Sequence, residues 1–104
     1  MSVENDIAVI NKYQAIIKSA KDRGFIFNIP LSEFKKVYNT KKCFYTGKRL
    51  MHGYNFSIDR VDNSKGYVSG NIVACDESFN KRKSNLSIVE IMQMYNSIIK
   101  FYKP

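Results

Sequence analysis

The chain of 104 residues has no tryptophan, one histidine and two cysteines, Cys43 and Cys75. Neither cysteine belongs to a Cys-x-x-Cys pair, so a closed tetrahedral zinc site is not expected and the core must be held by packing. Both thiols read as reduced, small, buried apolar side chains. No apolar run is long enough to span a bilayer. The N-terminal stretch Met1-Ser2-Val3-Glu4-Asn5-Asp6 is acidic and lacks the basic-then-apolar order of a signal peptide. A soluble, cytoplasmic protein is the expectation. Acidic residues are also few, 9 against 17 Lys and Arg, which leaves a formal charge of +8. Such a surplus on a small domain favours polyanion partners, because phosphate contacts release condensed counterions. Apolar residues make up 44%, enough for a globular fold with one modest core.

The pattern of elements is mixed. Ile7, Val9, Ile10, Tyr13, Ile16, Ile17 and Ala20 recur at helical spacing and predict a helix over roughly 3 to 22, stopped by Gly24. Phe25-Ile26-Phe27-Asn28-Ile29 is a short extended piece ended by Pro30. Ser32 to Tyr38 reads as a short helix with Ser32 near its N-cap. Cys43-Phe44-Tyr45 and Arg49-Leu50-Met51 flank a tight turn at Thr46-Gly47. Phe56-Ser57-Ile58-Asp59 alternates like a strand, residues 62 to 70 form a polar loop, and Asn71-Ile72-Val73-Ala74 is a second strand. A short helix over 76 to 83 follows. The last helix opens on a capping box, Ser87-Ile88-Val89-Glu90, with Leu86 and Ile91 as a hydrophobic staple. Its Ile88, Ile91, Met92, Tyr95, Ile98, Ile99 and Tyr102 predict a buried stripe. Phe44, Tyr45 and Phe79 are expected core fillers. No repeat, linker or low-complexity segment interrupts the chain, which reads as a small single α+β domain over 1–104.

The densest chemistry lies in Ser57-Ile58-Asp59-Arg60, Gly66-Tyr67, Gly70-Asn71 and Asn80-x-x-Lys83-Ser84, preceded by the Tyr45-Thr46-Gly47 turn. This order resembles the ββα-metal core of the HNH (His-Me finger) endonucleases over about 43–86, in a phage-type variant with Asp59-Arg60 where the family usually has Asp-His. The resemblance implies a divalent-metal site, Mg²⁺ or Mn²⁺, with Asp59 and Asn80 as ligands and Asn71 orienting the loop. It also implies a DNA substrate. If the chain is phage-encoded, its place is the host cytoplasm. The positions of the family's zinc-binding pairs hold Thr46, Asp76 and Phe79 where thiols would stand.

Arg60 cannot replace the missing base, because a guanidinium stays protonated at any working pH. It can bind phosphate or support transition-state charge. Three accounts remain open: His52, the only histidine, is brought to the site by a chain reversal as a displaced base; the metal or substrate activates water slowly; or the fold serves binding alone. Lys48, Arg49, Lys65, Lys81, Arg82 and Lys83 are the candidate phosphate contacts. Asp62-Asn63 reads as an ordinary Asx turn. The expected function is metal-dependent hydrolysis of DNA phosphodiesters. The alternative is an inactive nucleic-acid-binding or protein-inhibitory module, and RNA remains open as a substrate. Small size without an added DNA-reading domain argues for low sequence specificity, or for a protein partner that supplies it.

Overall fold

In the computed structural model, which describes residues 2–102, the elements run α1 (Val3–Asp22), β1 (Phe27–Asn28), α2 (Leu31–Tyr38), β2 (Phe56–Arg60), β3 (Tyr67–Val68), β4 (Ile72–Asp76), α3 (Glu77–Lys83) and α4 (Ile88–Phe101). Helix α1 starts where Ser2 Oγ accepts from the Asn5 N–H at 3.0 Å, and Glu4 and Asp6 complement its N-terminal dipole. It ends as Gly24 takes a positive φ of 75°. The second helix begins two residues earlier than a Ser32 cap implies. Pro30 is its N-cap, extended at φ −60°, and no side chain caps the helix.

Two apolar clusters hold these elements. The first joins Val9 and Ala20 of α1 to Phe34 and Tyr38 of α2, with Ile29, Tyr67 and Ile72. Tyr13 stands edge-on to Phe27 and Phe34, with centroids 5.3 and 5.1 Å away. The second gathers Cys43, Leu50, Ala74 and Cys75, with Tyr45 and Phe79 packed against it. Both thiols are free and buried, their sulfurs 3.9 Å apart. The tight turn above them is closed by Cys43 N–H donating to the Lys48 carbonyl at 2.8 Å, and Gly47 has a φ of 73°. Phe44 departs from its expected role as a filler. It lies on the outer side of this turn and is 58% exposed.

Strands β2 and β4 form an antiparallel pair in the register Ser57↔Cys75, Asp59↔Val73 and Arg60↔Ile72, and α3 follows β4 directly. Because side chains alternate along a strand, Ser57 and Asp59 project from one face and Phe56, Ile58 and Arg60 from the other. The loop between the strands contains an element that sequence periodicity missed. Its Tyr67–Val68 pairs in parallel with Phe27–Asn28. Gly66 permits this approach, since a Cβ there would fall 2.4 Å from the Ile26 carbonyl oxygen.

The capping box of α4 forms as read: Ser87 Oγ accepts from Glu90 N–H and Glu90 Oε1 from Ser87 N–H, each at 3.0 Å. The expected burial of its apolar stripe does not. None of its described residues is buried, and Tyr95 is 63% exposed. No helix among the described residues is long and apolar enough to cross a membrane.

Candidate active site

The site is built where α3 lies on the Ser57–Asp59 face of the hairpin. Asp76 sets the helix in place as N-cap, its Oδ2 accepting from Phe79 N–H at 3.0 Å. Its other oxygen accepts from Asn55 Nδ2 at 3.0 Å, and Lys48 lies 3.7 Å away. These donors, the Phe79 amide foremost, hold the Asp76 carboxyl below its ordinary value of 3.8. From this start the helical period turns Phe79, Asn80 and Lys83 inward and leaves Glu77, Ser78, Lys81 and Arg82 facing water.

Asp59 is buried, and its Oδ2 accepts from the Tyr45 hydroxyl at 2.6 Å. Burial first, then that hydrogen bond and the nearby negative charge, push the Tyr45 phenol well above its ordinary value of 10.0. Tyr45 therefore stays a donor at any working pH. Lys83 completes the cluster. Its side chain is 0% exposed and its Nζ lies 3.3 Å from Asp59 Oδ2. That contact is Coulombic: the ammonium makes no hydrogen bond of good geometry among the described residues. Asn80 lies against the same strand face, with Nδ2 3.3 Å from Ser57 Oγ, so Ser57 and Asp59 of the strand meet Asn80 and Lys83 of the helix.

Asn71 sits at the opposite end of the loop and binds it from within. Its Oδ1 accepts from Asp62 N–H at 2.8 Å, and its Nδ2 donates to the carbonyls of Asp62 and Gly66 at 3.1 and 2.9 Å. Asp62 forms the Asx turn, accepting from the Ser64 amide and hydroxyl at 2.9 and 2.6 Å. Glu33 of α2 pins the far turn, accepting from Ser69 Oγ at 2.6 Å and Gly70 N–H at 2.9 Å.

Three sequence expectations need correction. Arg60 does not share the face of Asp59. Its guanidinium lies 3.8 Å from the Phe25 ring centroid and donates to the carbonyls of Asn63 and Lys65 at 3.1 and 2.8 Å, so it is bound into the loop. His52 is not turned to Asp59 either. It stacks on Tyr38 at 3.9 Å and lies tilted against Phe56 at 4.0 Å, and its Nε2 donates to the Tyr38 carbonyl at 2.8 Å. Phe56 projects from the strand face opposite Asp59, so the chain reversal that would bring His52 to the site does not occur. Lys83, expected among the phosphate contacts, is buried. The other cations of that set, Lys48, Arg49, Lys65, Lys81 and Arg82, are exposed, and Lys81 pairs with Glu77 at 3.2 Å.

Sequence reasoning missed Tyr45 and Lys83 as partners of Asp59. A signal existed for Lys83, which stands at i+3 from Asn80 and so shares its helix face. No comparable signal marks Tyr45, whose position depends on how the turn folds onto the hairpin. Among the described residues no group of three or more His, Cys, Asp or Glu is placed to hold a metal ion.

No family model matches the chain. It is 31% identical over 78 residues to an uncharacterised 29.0 kDa protein from the dda-modA intergenic region of Enterobacteria phage T4, covering 72% of this chain and 32% of that one. It is 27% identical over 93 residues to the uncharacterised protein R423 of Acanthamoeba polyphaga mimivirus, covering 89% of this chain and 17% of that one. The chain thus spans about a third or less of these viral relatives. Among solved structures, the rare-cutting HNH restriction endonuclease PacI superposes with a TM-score of 0.66 at 22% identity, over 88% of this chain and 77% of that one. The chain has an HNH-like fold.

Proposed function

We propose that this chain hydrolyses DNA phosphodiester bonds with a divalent metal, Mg²⁺ or Mn²⁺, held by Asp59 and Asn80 in a ββα-metal site. One observation carries the reading: α3 lays the Asn80 carboxamide against Ser57, on the strand face that also carries the buried Asp59 carboxylate, on a fold shared with an HNH endonuclease. The donor set suits a hard cation. The contacts of Asp59 with Tyr45 and Lys83 both fall on Oδ2, so Oδ1 is the oxygen it offers, and Asn80 Nδ2 turned to Ser57 leaves its Oδ1 to bind. Two protein oxygens completed by phosphate and water are a normal set for Mg²⁺. Such an ion, when bound, supplies Lewis-acid stabilisation of charge on the phosphate and the leaving oxygen.

The residues of the chain supply the rest. Tyr45 fixes the Asp59 carboxylate, and Asn71 keeps the loop beside it in shape. With Arg60 bound into the loop and His52 on the other strand face, no protein base of the family's usual kind is offered to water. Water activation then falls to the metal or the substrate phosphate, and slow turnover is expected. Lys48, Arg49, Lys65, Lys81 and Arg82 supply exposed charge for the DNA backbone. A partner protein, or further chain such as the longer relatives have, would supply sequence specificity.

A second reading is favoured by the Lys83–Asp59 pair, which already neutralises the carboxylate: an inactive module that binds nucleic acid or inhibits a protein. The test is cleavage of supercoiled plasmid with Mg²⁺, Mn²⁺ or EDTA, beside single-stranded RNA. Nicking of plasmid that needs metal supports the nuclease. Equal cutting in EDTA would exclude a metal-dependent reaction. Salt-sensitive binding without cutting would favour the module, and preferential loss of RNA would change the substrate.

A further inference from the structure

We infer that Lys83 and the divalent metal compete for Asp59, so that the ammonium is a built-in occupant which metal must displace. This rests on the metal reading of Asp59 and deepens it. Lys83 has a side-chain exposure of 0%, and its charged end has been drawn 3.3 Å from Asp59 Oδ2. A lysine is almost never fully buried without a partner, because desolvating an ammonium is costly. Here the partner is a single carboxylate oxygen, and the ammonium finds no well-formed hydrogen bond to complete its shell. A further neighbour is the face of the Tyr45 ring, 5.5 Å from Nζ, a weak cation–π contact. The pair is therefore close enough to balance charge and too poorly hydrogen-bonded to lock it.

Geometry makes the competition direct. Asn80 and Lys83 lie one helical turn apart on the same face of α3, so the other proposed metal ligand and the resident cation both meet the Ser57–Asp59 strand face. A divalent ion against Asp59 would stand beside a unit positive charge in surroundings with little water. Like charges at such separations repel strongly. The side chain of Lys83 has the length to swing its end toward Arg82 and the solvent while its stem stays packed.

The measurement is Mn²⁺ affinity by titration calorimetry for the whole chain, its Lys83→Met variant and its Asp59→Ala variant. Methionine keeps the apolar stem and removes the charge. Lys83→Met should bind Mn²⁺ about tenfold or more tightly than the unchanged protein, and Asp59→Ala should bind it far more weakly. Equal or weaker binding by Lys83→Met, with Asp59 still required, would overturn the competition and leave the metal site standing. Binding indifferent to Asp59 would overturn both. Lysine acylation read by mass spectrometry gives a second arm that needs no variant. Lys83 should be protected in EDTA and become reactive at saturating Mn²⁺, while exposed Lys81 reacts in both. Protection unchanged by bound Mn²⁺ would contradict the inference.

Discussion

At the scale of the residue, Asp59 and Lys83 should behave as a coupled pair. Removing either partner leaves a buried charge uncompensated, which typically costs about 3–5 kcal/mol. Asp59→Ala should therefore destabilise the fold strongly, and the double variant Asp59→Ala with Lys83→Met should recover part of the loss. Urea unfolding of the four proteins in a double-mutant cycle checks this, and purely additive losses would show that the pair is not coupled. Asp76 makes a separate prediction with a defined sign. Its folded-state pKa is depressed below 3.8, so its contribution is present above that value and is lost as pH falls through the depressed one. Asp76→Asn should be less stable than the unchanged protein at about pH 7, and the gap should close as the pH falls through the depressed pKa. A gap that persists in acid would assign the effect to shape and not to charge. Gly66→Ala should cost more than the usual surface change, over about 1 kcal/mol, because its methyl would strike the Ile26 carbonyl.

At the scale of the element, sequence pattern carried furthest where local physics decides. The long helix up to Gly24, the alternating strand to Asp59, the short helix after Asp76 and the Ser87–Glu90 capping box all follow from periodicity and caps. The pairing of Phe27–Asn28 with Tyr67–Val68 was not legible, because strands of two residues are made by tertiary approach. Charge misled in the run from Lys81 to Lys83. Composition treats the cations alike, but the helical period turns one of them inward. Arg60 was misjudged for a related reason: neighbours in sequence along a strand point to opposite faces, so it leaves the face of Asp59. The apolar face of α4 misled in the other direction, since a hydrophobic stripe predicts burial only if a partner is present. Removing residues 87–104 should accordingly leave the core folded and lower Tm by about 5 °C or less. Differential scanning calorimetry reads the shift. Loss of the cooperative transition would mean that α4 supports the core more than its exposure implies.

At the scale of the whole molecule, the +8 charge should give non-specific duplex binding that weakens steeply with salt. Lys81→Ala with Arg82→Ala should weaken it and reduce the salt slope by roughly 0.9 for each phosphate no longer neutralised. Lys83→Met should leave the slope unchanged, because its ammonium is buried. Fluorescence anisotropy across a salt series would separate the exposed cations from the buried one. On the proposed reading, cutting and holding DNA belong to different residues: Asp59 and Asn80 would hold the metal, and the exposed cations would contact the backbone. Plasmid cleavage in Mg²⁺, measured beside DNA binding, tells the two apart in a folded Asn80→Ala variant, whose side chain carries no buried charge. Asn80→Ala should bind DNA as the unchanged protein does and cut it at least about tenfold more slowly. An Asn80→Ala variant that binds and cuts like the unchanged protein would contradict the assignment of the metal site.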